Sequence, residues 1–115
     1  MRLYNKVVNQ ALQSAAVINT ATQTPGIDLS GARGFCIIVN VTATSTPSGA
    51  SVQLQASNDG VTWANVGTST AISATGVLAP INIDAPYYAQ ARLSYAIASG
   101  SITVTSSVIV KALES

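Results

Sequence analysis

Side chains that commonly do chemistry are scarce in this chain of 115 residues. There is no histidine, so the commonest general base, the commonest zinc ligand and the usual partner of a nucleophilic Ser or Cys are all missing. The carboxylates Asp28, Asp59, Asp84 and Glu114 stand far apart. Only tertiary folding can bring two of them into a pair for glycoside hydrolysis. Asp59 has a local explanation in the turn Asn58-Asp59-Gly60. No glycine-rich loop leading into a helix is present to cradle a phosphate. The single cysteine, Cys36, excludes an internal disulfide, a zinc knuckle and an iron–sulfur site. It lies in the apolar run Phe35-Cys36-Ile37-Ile38-Val39 and reads as a small buried hydrophobe rather than a reactive thiol. No spacing argues for calcium on Asp28, Asp59 or Asp84. The residues therefore nominate no catalytic, cofactor-binding or metal-binding group, and the expectation is a protein that is not an enzyme.

Binding chemistry has more material. Trp63 is the one indole. It reads first as a core anchor after the hairpin turn, because aromatics dominate small sandwich cores; the other reading is a stacking platform beside Tyr87 and Tyr88. Arg92 shares a face with Tyr88, Gln90 and Ser94. It reads either as an interface anchor, where Arg is enriched, or as a solvated cation.

The composition limits the partners. Only 8% of residues are charged and the net charge is +1, against about 25% charged in ordinary soluble domains. Nothing steers the chain toward nucleic acid or acidic lipid. A dispersed monomer usually carries more charge, so the sparse charge suggests a surface covered by other subunits. The start has no apolar stretch long enough for a signal peptide or a span, which leads to the expectation of synthesis in a cytosol.

The elements that must position these residues are β-strands. Short runs rich in Val, Ile, Thr and Ser are broken by Gly, Pro, Asn and Asp. Phe35, Ile37, Val39 and Val41 fall on one face of a strand, as do Val52, Leu54 and Ala56 of the next. Asn58-Asp59-Gly60 turns the chain into a return strand from Val61 to Val66. Pro80 demotes residues 77–83 to an edge or bulge. Tyr87, Ala89, Ala91, Leu93 and Tyr95 share a face, and Ile102, Val104, Ser106, Val108 and Val110 close the fold. Seven or eight short strands predict an all-β fold, a two-sheet antiparallel β-sandwich, jelly-roll or Ig-like, over residues 25–115. Residues 1–24 have mixed periodicity: Leu3, Val7, Val8, Ala11 and Leu12 show some helical spacing without a cap, whereas Val17, Asn19 and Ala21 alternate. They read as an extended N-terminal arm or edge strand.

The segment Val52-Gln53-Leu54-Gln55-Ala56-Ser57-Asn58-Asp59-Gly60-Val61-Thr62-Trp63 resembles the Ser-Asn-Asp-Gly hairpin with Trp of many small virion proteins of tailed phages. Residues 27–41 look like their first core strand and its glycine-bearing approach, and 85–95 like their Tyr-rich, Arg-bearing strand. The resemblance covers roughly residues 27–111, by pattern more than identity. It implies a capsid decoration, or cement, protein: a homo-oligomer, dimer or trimer, on the outer capsid surface of the virion, binding the major capsid protein and using no cofactor, nucleic acid or membrane. Leu3, Tyr4, Val7 and Val8 of the arm, with Tyr88 and Arg92, are the candidate interface residues. The alternative is a receptor- or glycan-binding module of a tail or fibre, stacking sugars on Trp63, Tyr87 and Tyr88.

Overall fold

The computed structural model describes residues 4–29, 32–84 and 89–114. Among the described residues every regular element is a strand: β1 (Tyr4–Ile18), β2 (Thr22–Gln23), β3 (Ile27–Asp28), β4 (Ala32–Ser48), β5 (Ser51–Ser57), β6 (Ala64–Ala71), β7 (Gly76–Val77), β8 (Ile81–Asp84), β9 (Gln90–Ala96) and β10 (Ser99–Glu114). They form two antiparallel sheets packed face to face, a β-sandwich. Sheet A runs β1-β10-β4-β7, with β8 also on β4; sheet B runs β2-β9-β5-β6, with β3 also on β9.

The alternating runs form strands because each has one face to bury. Phe35, Ile37, Val39 and Val41 of β4 stand opposite Val110, Val108, Ser106 and Val104 of β10. Leu54 and Ala56 of β5 stand opposite Leu93 and Ala91 of β9. These faces meet in a core that includes Ile18, Ile27, Ile37, Leu93, Tyr95, Ile102 and Val108. Each fully buried Val, Leu or Ile contributes about 1.5–3 kcal/mol relative to an exposed one.

Residues 4–18 are not a free arm; they are the edge strand of sheet A, paired along β10 from Tyr4↔Glu114 to Ile18↔Ile102. Two register shifts, between Ala11 and Gln13 and between Gln13 and Ala16, break the twofold alternation. The spacing of Val7, Val8 and Ala11 that looks partly helical in the sequence lies before these shifts, in a stretch paired without a break from Tyr4 to Ala11. The shifts set the inward residue at the strand's end: Ile18 is buried while Val17 is exposed, and the chain leaves the strand before Asn19 and Ala21. Residues 22–23 belong to sheet B through Thr22↔Tyr95 and Gln23↔Ser94, so residues 4–23 contribute to both layers.

Two other segments extend or shift. Despite Pro47, β4 continues to Ser48, because β10 supplies a mate as far as Ser99. The return strand β6 starts at Ala64, so Val61 to Trp63 lie outside it.

Candidate interaction surfaces

The β5–β6 connection is organised by two short side chains. Asp59 Oδ1 accepts from the backbone N–H of Val61 (2.8 Å) and Thr62 (2.7 Å) and from the Ser57 hydroxyl (3.0 Å). Ser57 Oγ in turn accepts from Gly60 N–H at 2.8 Å. Such Asx-type bonding is what Asp supplies in turns. The backbone donors of Thr62 and Val61 hold the Asp59 carboxyl down, to about 2, so it stays ionised and committed to the turn. Beside it lies an open groove of about 670 Å³, lined among others by Ala56, Ala64 and Val66 and by the polar Ser57, Asp59 and Thr62.

The turn delivers Trp63 to the outer face of sheet B, not to the core. Trp63 is half-buried, and the Arg92 guanidinium lies over its ring, 4.2 Å from the centroid. Arg92 Nε–H donates to Gln55 Oε1 (2.9 Å), and Gln55 Nε2 donates to Asn65 Oδ1 (3.1 Å). The reason is parity. Leu54, Ala91 and Leu93 point inward, so their neighbours Gln55 and Arg92 must point out, and the indole follows them. A Cβ on Gly26 would stand 3.5 Å from Trp63 and 2.6 Å from Gln90 Oε1; a bare backbone is what lets the β2–β3 crossing pass so close.

The outer face of sheet A carries Cys36, Ile38 and Ile109. Cys36 is partly exposed rather than buried, because Phe35 and Ile37 claim the inward direction. It lines a cavity of about 140 Å³ with Asn82, Ile109 and Lys111. Ile38 and Ile109 remain 39% and 38% exposed.

The candidate interface residues from the sequence do not form one cluster. Leu3 and Tyr88, like Tyr87, lie outside the described residues. Tyr4, Val7 and Val8 lie on β1 in sheet A, opposite Glu114, Lys111 and Val110. Arg92 is on β9 in sheet B, already engaged with Trp63 and Gln55. Among the described residues no group of three or more His, Cys, Asp or Glu is placed to hold a metal ion, and no helix is long and apolar enough to cross a membrane.

A feature that residue-by-residue reading missed is the distribution of charge over the fold. The segments 7–27, 35–58, 60–83 and 93–110 contain no Asp, Glu, Lys or Arg. Antiparallel pairing stacks their junctions at one end. In sheet A, Lys6 pairs with Ala112, Lys111 with Gly34, Asp84 with Gly34, and Glu114 with Tyr4. In sheet B, Asp28 pairs with Gln90 and Arg92 with Gln55, four residues before Asp59. The short β3–β4 connection joins these two charged ends. The opposite end, made by the connections 19–21, 49–50, 72–75 and 97–98, carries no formal charge. It presents Thr20, Ser73, Thr75 and Ala98, all exposed.

No protein-family model matches the chain, and no curated protein matches it. Among solved structures it is similar to the crystal structure of SPBc2 prophage-derived protein YomS, with a TM-score of 0.65 and 13% identity, covering 95% of this chain and 96% of that one. What the two share is the fold, across essentially the whole of both chains.

Proposed function

We propose that the chain is a structural virion protein of a tailed phage, a decoration or cement protein that docks on the outer capsid shell and steadies contacts between major capsid subunits. It acts as a homo-oligomer and catalyses no reaction. The observation that carries this reading is the uncharged end of the sandwich. A surface of Ser, Thr and Ala that offers hydrogen bonds without charge has little desolvation to overcome when another protein covers it. Each contact need be only modest, because many copies act together on one shell. The likeness in fold to a prophage-derived protein favours a phage setting.

The test is quantitative mass analysis of purified particles of the encoding phage. A copy number comparable to that of the major capsid protein is expected; a few copies per particle would overturn the shell assignment in favour of the tail. Placing charge on the uncharged end, as Thr20→Glu with Ser73→Glu and Thr75→Glu, should abolish occupancy on shells while leaving the melting transition in place.

The second reading, a glycan-binding module of a tail or fibre, is favoured by Trp63 standing on the outer face of sheet B. It predicts binding on a glycan array that is lost in a folded Trp63→Ala variant.

A further inference from the structure

We propose that two copies of this chain pair through their β1 strands, antiparallel about a twofold axis, so that the two A sheets become one continuous sheet. The proposal stands apart from the shell reading and from the uncharged end.

The edges of the two sheets differ in how they are closed. The far side of sheet A ends in β7 and β8, of two and four residues. One side of sheet B ends in β2 and β3, of two residues each, separated by Pro25. The other side is β6, whose pairing with β5 breaks register between Val52 and Leu54 and which contains Gly67 at φ +71°. Short strands, prolines and bulges are the usual means of blunting an edge.

β1 differs. It is 15 residues long and is the terminal strand of sheet A. Its second half is blunted: both register shifts fall between Ala11 and Ala16, and Ala15 takes a positive φ of 48°. Its first half is not. From Tyr4 to Ala11 the register against β10 runs without a break, with no proline and with Lys6 as the only charge. A regular, nearly uncharged edge of this length is a template for another strand.

The occupant follows from length and closure. No other edge among the described residues offers an unbroken strand to match Tyr4–Ala11, so the mate within a population of identical chains is β1 itself. Pairing β1 with β1 consumes both long edges and closes at two copies; pairing β1 with β6 would leave one of each open and grow into a fibre. Charge also permits it. A twofold at Val7 or Val8 sets Lys6 opposite the second copy's Val8 or Gln10 and keeps the two lysines from facing each other, the arrangement that would be unfavourable across strands.

The experiment uses the full chain, with sedimentation velocity and light scattering over a concentration series. Twice the chain mass is expected. Val8→Pro and Asn9→Pro then probe adjacent backbone N–H groups, which point to opposite sides of a strand. One proline removes a bond to β10 and lowers the melting midpoint. The other removes only an outward N–H, and is expected to keep the wild-type midpoint while running as a monomer. A wild-type chain that is monomeric throughout the series, or a dimer that survives in both proline variants, would overturn the proposal.

Discussion

The Tyr95 hydroxyl of β9 donates to Gln13 Oε1 of β1 at 2.8 Å, and the Ser106 hydroxyl of β10 donates to the same oxygen at 2.9 Å. This node spans the two sheets, because Tyr95 belongs to sheet B and the other two residues to sheet A. It also sits where β1 slips register, since Gln13 lies between the two shifts. Tyr95 and Ser106 are 1% and 2% exposed, so neither hydroxyl has water as an alternative partner. A single amide oxygen thus fixes which residue of β1 faces the core.

Removing the shared acceptor should cost more than removing one donor. Gln13→Ala strands two buried hydroxyls, at about 1–3 kcal/mol for each unsatisfied group. Tyr95→Phe removes one donor and leaves Ser106 to satisfy Gln13, at about 0.5–1.5 kcal/mol. Chemical denaturation of the two variants gives the ranking; equal losses would mean that the node does not act as a unit.

Burial pushes the Tyr95 phenol well above its ordinary value of 10.0, with the Ser106 hydrogen bond opposing weakly. The unfolded chain therefore releases this proton before the folded one does. Stability is unaffected by Tyr95 below pH 10 and falls as pH rises above it. Ultraviolet difference titration should show one tyrosine that ionises only as the protein unfolds, and Tyr95→Phe should flatten the alkaline decline.

Asp59 gives the opposite sign. Its folded value is depressed from 3.8 to about 2, so its contribution is present above 3.8 and is lost as pH falls toward 2. Asp59→Asn should reduce the dependence of the melting midpoint on pH across that window. Because the acceptors serve Val61 and Thr62, amide exchange at those two residues should quicken in Asp59→Ala while the β5–β9 ladder stays protected.

Arg92→Ala should alter Trp63 fluorescence and destabilise the fold by about 0.5–1 kcal/mol, the range for an exposed cation–π pair. Arg92→Lys restores the charge but not the planar group over the indole or the Nε–H bond to Gln55, so it should recover only part of the loss. An unchanged spectrum in both variants would mean that the stack is not populated in solution.

Two glycines with similar backbone angles separate close approach from conformational freedom. Gly67 has φ +71° with open space around it. Gly100 has φ +77°, and a Cβ there would meet the carbonyl oxygens of Thr46 and Ser45. Gly67→Ala should show the strain of a positive φ alone, about 1 kcal/mol, whereas Gly100→Ala should cost distinctly more, read as a lower thermal midpoint.

Alternation in the sequence determined the all-β class and the inward faces of β4, β5, β9 and β10, because a half-buried strand needs an apolar side chain at every second position. The chemistry of Asp-Gly likewise fixed the turn after Ser57. Tertiary structure alone decided the rest. The two bulges of β1 shift which residues between Ala11 and Ala16 face inward, and its mate, β10, lies at the other end of the chain, so no local pattern encodes that pairing. Trp63 reads as core by its size, but the parity of Gln55 and Arg92 carries it to the outer face. The charge-free end arises because antiparallel pairing folds four uncharged segments back on one another, a juxtaposition of residues far apart in the chain that no local pattern encodes.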